Sequence, residues 1–209
     1  MESNRYEIRI GGTGGQGIIT TGIIMGEAAT VYDHKYAVQT QSYGPEARGG
    51  SSKTDVIISS EPIDYPKVIQ PDCIAVLSRE AFRSYGMNAD PAVLLIADEG
   101  CVEADVSYGP NFRIFPICQR TIDVLGGVMA TNVTLFGIII GLTGIISLPA
   151  AEIAVATRFA SRQPEYNLKA LRLGYEMAYK PAPEAEDDGR REDLFSKDIR
   201  WKTPIRLTL

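Results

Sequence analysis

Residues 5–18 read Arg5-Tyr6-Glu7-Ile8-Arg9-Ile10-Gly11-Gly12-Thr13-Gly14-Gly15-Gln16-Gly17-Ile18, and this stretch decides how the fold begins. Tyr6, Ile8 and Ile10 alternate with Arg5, Glu7 and Arg9, the period of two that marks a strand. The glycines that follow at once suit a tight turn and the close approach of backbone to a ligand. From Ile18 to Val31 the sequence reads as a helix in which Gly22 and Gly26 share a face, so both are predicted to lie close against the sheet. Strand, glycine turn and helix together open a βαβ unit.

Further β-like runs lie at Tyr36–Gln41, Thr54–Ser59, Ile74–Leu77, Val93–Ala97 and Arg113–Ile117. Separated by turn or helical material, they predict an α/β fold, Rossmann-like, with a mainly parallel sheet and helices on both faces. Residues 92–97 are apolar throughout, as a central strand covered on both sides requires. The first strand is harder to place, because Glu7 and Arg9 would meet helices on its second face; sharing that face or edge with another subunit is one resolution. Helices dominate the second half. Thr131 or Asn132 is placed to cap an apolar helix running to about Ile146, and Pro149 and Pro164 suit first turns. Leu168, Leu171, Tyr175 and Ala178 form one stripe of a last helix.

The domain is predicted to span residues 1–180. Residues 181–209 begin as a proline- and charge-rich linker, then return Phe195, Ile199 and Trp201 without enough length for a core of their own. Such an extended C-terminal arm suits docking on another subunit or folding back on its own domain.

The 209-residue chain is 44% hydrophobic and 22% charged, ordinary values for a globular protein. A net charge of −5 offers no broad basic surface for nucleic acid. The most apolar window, Val133 to Leu148, carries Gly137, Gly141 and Gly144 and is shorter than the ~20 residues of a membrane span, so a buried helix is expected and no membrane partner. No export signal is read at the N-terminus, which gives a cytoplasmic expectation. Cys73, Cys101 and Cys118 are widely spaced, there is no Cys-x-x-Cys, and His34 is the single histidine. They read as reduced structural thiols, with no zinc or iron–sulfur ligand set and no metal site expected.

Two constellations carry the functional reading. Gly12, Gly14, Gly15, Gln16 and Gly17 sit between a strand and a helix, where backbone N–H groups and a helix N-terminus meet phosphate. A dinucleotide site would add an acidic residue at the end of the second strand, but that position offers Gln39, Thr40, Gln41 and Ser42, with Asp33 before the strand. The second constellation is residues 41–53, with Glu46, Arg48, Gly49, Gly50, Ser51 and Lys53. Arg48 and Lys53 suit phosphate, whereas Glu46 and Arg48 also suit a structural ion pair. Both loops are predicted near carboxyl ends of strands.

Ile10-Gly-Gly-Thr-Gly-Gly-Gln-Gly-Ile18, Tyr43-Gly-Pro-Glu-Ala-Arg-Gly-Gly-Ser51, Val56–Ile63, Pro71-Asp-Cys-Ile74 and Thr131-Asn-Val-Thr-Leu-Phe-Gly137 together resemble the gamma subunit of the 2-oxoacid:ferredoxin (acceptor) oxidoreductase family. The resemblance spans about residues 5–180. It implies a subunit, inactive alone, of a complex that converts a 2-oxoacid and coenzyme A into acyl-CoA and carbon dioxide. It further implies alpha and beta partner subunits bearing thiamine diphosphate, an iron–sulfur subunit, and ferredoxin or another electron acceptor. Gly12, Gly14, Gly15, Gln16, Gly17, Arg48, Gly49, Gly50, Ser51, Lys53 and Asn132 are then the candidates for contacting coenzyme A, all in binding roles, with no catalytic residue among them. Two alternatives stay open: a purely structural interaction subunit, whose glycine loops fit against partners, and an independent nicotinamide-binding oxidoreductase.

Overall fold

The computed structural model describes residues 5–43, 51–102 and 109–179. Arg48, Gly49, Gly50 and the arm at 181–209 lie outside the described residues. Six strands form one sheet: β1 (Arg5–Thr13), β2 (Tyr36–Tyr43), β3 (Ser51–Ser59), β4 (Cys73–Val76), β5 (Leu94–Asp98) and β6 (Phe112–Phe115), in the order β2-β3-β1-β4-β5-β6. β1, β4, β5 and β6 run parallel, as expected, while β3 is antiparallel to both β1 and β2.

The strand faces are set by alternation. Ile8 and Ile10 of β1, Val56 and Ile58 of β3, Cys73 and Ala75 of β4 and Ile96 of β5 face one apolar core. That core also holds residues of α1 (Ile18–Glu27), α4 (Thr131–Thr143), α5 (Leu148–Arg158) and α6 (Pro164–Tyr179). Ile74, Val76, Leu95 and Ala97 face the other way, onto a smaller cluster with Ala81 and Phe82 from the short helical segments α2 (Arg79–Ala81) and Phe82–Gly86. Helical material thus covers both faces, unequally. β5 is covered on both sides, as its apolar run predicts, and is buried from Leu95 to Asp98, but it lies next to the edge strand β6 rather than at the centre of the sheet.

The polar face of β1 finds its partners within the chain. The Glu7 carboxylate accepts N–H groups from Ile69 (2.7 Å) and Gln70 (3.1 Å) and the Arg5 Nε–H (2.7 Å), so the 60–72 segment is tied down over that face. Arg9 forms two parallel hydrogen bonds to Asp55 (2.8 and 3.0 Å) and lies over the Tyr85 ring. Paired this way, the charges sit on a partly covered face without an orphaned ion.

Several boundaries differ from the sequence reading. α1 gives way at Ala28–Tyr32 to a π-helical turn. Gly22 packs as expected, since a Cβ there would lie 2.9 Å from Thr54 Cγ2; Gly26 has nothing within 4 Å and does not touch the sheet. The sixth strand stops at Phe115, and Ile117, expected at its end, instead opens α3 (Ile117–Leu125), buried through Ile117 and Thr121. Neither Thr131 nor Asn132 caps α4: Ala130 holds that position, Thr131 donates to the Val128 carbonyl, and the helix stops at left-handed Gly144 rather than near Ile146.

Candidate functional site

The site lies at the carboxyl end of β1, where the chain's connections part. β1 has parallel β4 on one side and antiparallel β3 on the other, a topological switch point of the kind at which α/β sheets bind ligands. The register sets Ser51 beside Thr13 and Tyr43 beside Ser52, so both ends of the 44–50 connection reach the edge from which the glycine turn emerges. The described ends of the second constellation therefore share an edge with the glycine turn. They do so because β2 and β3 pair antiparallel rather than as parallel neighbours.

Within the turn, each candidate has a distinct place. Gln16 folds back inward: its Oε1 accepts the Thr13 N–H (2.8 Å), and its Nε2 donates to the Leu77 carbonyl beyond the end of β4 (3.0 Å). One side chain thus ties together the ends of two parallel strands. Gly12 leaves room for it, since a Cβ there would lie 2.6 Å from Gln16 Oε1 and 2.7 Å from Ile18 Cδ1. Gly15 (φ 91°) and Gly17 (φ 73°) adopt the left-handed conformation that side chains disfavour. Gly14 and Gly15 are exposed, whereas Gly12 is buried and Gln16 and Gly17 are half-buried.

Gly17 is the N-cap of α1 and provides no side chain to satisfy the first helical N–H groups. Among the described residues, the N–H groups of Gly14, Gly15, Gly17, Ile18, Ile19 and Thr20 meet no acceptor. Those N–H groups, with the positive end of the α1 dipole, favour an anion.

Asn132 comes to the turn from behind. Its side chain is buried, and Nδ2 donates to the Gly17 carbonyl (3.2 Å) and to Thr21 Oγ1 (3.3 Å). Lys53, on the opposite sheet face from α1, pairs with Asp55 (3.2 Å), the same carboxylate that holds Arg9. Hydrogen bonding to Asp55 raises the Arg9 pKa despite partial burial, so two cations share one carboxylate and leave a unit of positive charge near the edge. Sequence reasoning missed Arg9 and Asp55 as parts of this edge; their alternation in β1 and β3 was the available signal.

At the start of β2, Asp33 accepts the Ser147 N–H (2.7 Å) and hydroxyl (2.6 Å), bracing α5 at the opposite edge. Gln41 and Ser42 occupy the carboxyl end of β2. A shallow hollow lined by Gly86, Asp90, Pro91, Val93 and Phe112 lies at the amino ends of β5 and β6, away from the turn. Among the described residues, no group of three or more His, Cys, Asp or Glu side chains is arranged to hold a metal, and no helix is long and apolar enough to cross a membrane.

Such an edge belongs to a Rossmann-like domain that presents backbone donors of the kind that suit an anion. Residues 7–177 match the pyruvate ferredoxin/flavodoxin oxidoreductase family, and the chain belongs to that family. It is 42% identical over 176 residues to the 2-oxoglutarate synthase subunit KorC of Methanocaldococcus jannaschii, covering 83% of this chain and 94% of that one. The keto/oxoacid ferredoxin oxidoreductase gamma subunit of Geobacter sulfurreducens PCA shares 40% identity and a TM-score of 0.76, covering 85% of this chain and 98% of that chain. A 2-oxoglutarate:ferredoxin oxidoreductase from Magnetococcus marinus, solved with 2-oxoglutarate, coenzyme A and succinyl-CoA, shares the fold at a TM-score of 0.75 and 21% identity, over 85% of this chain and 32% of that chain. The resemblance to gamma subunits read from the motifs is borne out.

Proposed function

We propose that the chain is the gamma-type subunit of an oxidoreductase that converts a 2-oxoacid and coenzyme A into acyl-CoA and carbon dioxide, and that its glycine turn seats an anionic part of coenzyme A. The observation that carries this reading is the set of open N–H groups of Gly14, Gly15, Gly17, Ile18, Ile19 and Thr20 at the carboxyl edge, beside the described ends of β2 and β3. Phosphate oxygens match such donors, and the surplus charge of Arg9 and Lys53 adds to the attraction. Coenzyme A in the Magnetococcus marinus relative supports the choice of anion. Arg48, Gly49, Gly50 and Ser51 are the further candidates to complete the seat. The contribution is proximity, holding the thiol near a centre provided by other chains. Thiamine diphosphate and iron–sulfur clusters belong, in this reading, to alpha, beta and iron–sulfur partner subunits that pass electrons to ferredoxin or another acceptor. A cytoplasmic setting goes with it, and residues 181–209 serve as a subunit-docking arm.

The nicotinamide reading lacks an acid at the end of β2 to hold a ribose hydroxyl, and Asp33 is engaged elsewhere. The structural-subunit reading is separated by experiment. Gly15→Asn and Gly15→Asp both tolerate the left-handed backbone, and a Cβ there meets nothing within 4 Å. In the assembled oxidoreductase, the charge in Gly15→Asp raises the KM for coenzyme A by about tenfold over Gly15→Asn, a Coulomb effect of about 1–2 kcal/mol at ~8–10 Å. Equal KM values for the two variants would leave the turn a structural device.

A further inference from the structure

We infer that Asn132 is a positioning residue for the ligand of the glycine turn, one that fixes the turn from behind without touching the ligand. The inference rests on the coenzyme A reading above, and it begins with how α1 starts. A serine or aspartate N-cap satisfies one of the first helical N–H groups with its own side-chain oxygen, and so removes that donor from any ligand. Gly17 has no such oxygen, and its left-handed backbone would leave the entry to α1 loosely held. The order is restored from another helix.

The Gly17 carbonyl accepts three donors: the Thr21 N–H (3.0 Å), the Thr21 hydroxyl (3.2 Å) and Asn132 Nδ2 (3.2 Å). Asn132 Nδ2 also donates to the Thr21 oxygen (3.3 Å). Asn132 and Thr21 are both buried, at 5% and 1% exposure, so water does not compete for these bonds. The Asn132 amide lies against the Gly17 α-carbon, where a Cβ would be 2.7 Å from Nδ2. Every one of these contacts engages the carbonyl side of the Gly17 peptide or the space behind it. The N–H groups on the other side stay open.

Asn132 therefore does for α1 what a cap does, while leaving the helix donors to the ligand. Such preorganisation strengthens anion binding because the donors need not reorient when the ligand arrives. Gln16 braces the entry of the same turn through Thr13 and Leu77, so the turn is clamped at both ends.

The test uses the assembled oxidoreductase with Asn132→Ala and Asn132→Asp, read as KM against kcat together with the melting temperature. Asn132→Ala is expected to raise the KM for coenzyme A by about tenfold, the scale of one well-placed hydrogen bond, with a smaller change in kcat and in the KM for the 2-oxoacid. Asn132→Asp, which sets a carboxylate oxygen against the Gly17 carbonyl, is expected to raise it further. A lower melting temperature with KM for coenzyme A within about twofold of the parent would make Asn132 structural only and overturn the inference. If Asn132→Ala does not assemble, Thr21→Val decides by the same criterion, since it keeps the side-chain shape and removes the hydroxyl that orients the amide. The Gly15→Asp and Gly15→Asn pair separates the two levels. If that pair differs in KM and the Asn132 variants do not, the coenzyme A reading stands and the positioning role fails; if the pair does not differ, the coenzyme A reading itself has failed.

Discussion

Gly174→Ala tests the packing of the two helices behind the site, and two general effects predict opposite signs for it. In an exposed helix, replacing glycine with alanine stabilises by about 1 kcal/mol. Here a methyl carbon at 174 would lie 2.8 Å from the Thr134 carbonyl carbon and 3.0 Å from the Ile138 nitrogen, and would fall on the Thr134 carbonyl oxygen. Carbon atoms pack at roughly 3.5–4.0 Å, so α6 must retreat from α4 by about 1 Å. Gly137 meets α6 in the same way, its added Cβ lying 2.7 Å from the Tyr175 nitrogen, and so backbone meets backbone from both sides. No side chain can rotate out of the way. Overpacking of this kind costs roughly 1–3 kcal/mol, to which the separated helices add lost contacts, and this outweighs the propensity gain. Gly174→Ala is therefore expected to lose about 2 kcal/mol, or about 4–8 °C of Tm. Urea and thermal unfolding of the full chain, followed by circular dichroism, measure this directly. Gly26→Ala is the control, because its Cβ meets nothing within 4 Å and it should gain about 0.5–1 kcal/mol. If Gly174→Ala proves as stable as Gly26→Ala, the close approach of α4 and α6 is refuted.

Three further outcomes are expected. Asp98 accepts N–H groups from Gly100 (3.0 Å) and Cys118 (2.7 Å), capping the start of α3, so Asp98→Ala should cost about 1–3 kcal/mol in the same unfolding assay. Burial, aided by Asp98, pushes the Cys118 thiol up from 9.0 to about 11; since only the thiolate reacts, its alkylation at pH 8 should be about a hundredfold slower than in urea-unfolded chain, and equal rates would contradict that burial. The purified chain given thiamine diphosphate, coenzyme A and a 2-oxoacid should show no acyl-CoA formation by mass spectrometry, because the proposed chemistry belongs to partner subunits; turnover would overturn the assignment.

What the sequence disclosed was local. Alternation in residues 5–10 and the glycine run gave β1, the turn and the start of α1, since each rests on neighbours in the chain. The direction of β3 was not legible from its composition, because an apolar strand reads alike either way. Its connection held the clue: with β2 ending at Tyr43 and β3 starting at Ser51, too few residues remain for a parallel crossover, which takes a dozen or more. Pro116 closed the sixth run early, and the four-residue spacing of Ile117 and Thr121 pointed to α3. Asn132 was legible as a candidate, but its contact with Gly17 was not, since that partner lies 115 residues away. Gln16 likewise read as a ligand contact, and only the placement of β4 beside β1 shows that its amide serves Leu77. Gly22 and Gly26 are equivalent by helical spacing; the position of Thr54 beneath one of them makes the difference.

The seat of β1 between β3 and β4 also sets an order of events for folding. Ile8 stands opposite Val56 on one side and Cys73 on the other, and even the nearest pairing of β1, Thr13 with Ser51, reaches 38 residues along the chain. β2 and β3, in contrast, are antiparallel neighbours close in sequence and can pair early, at little loop-closure entropy. During synthesis β1 emerges before both of its sheet partners and is completed only when β4 has emerged, with Ile8 and Ile10 exposed until then. Closure of β1 into the gap joins the antiparallel and parallel halves of the sheet, and the same event brings Leu77 to Gln16 and finishes the glycine turn. A nascent chain therefore acquires its glycine-turn edge late, as the sheet becomes whole.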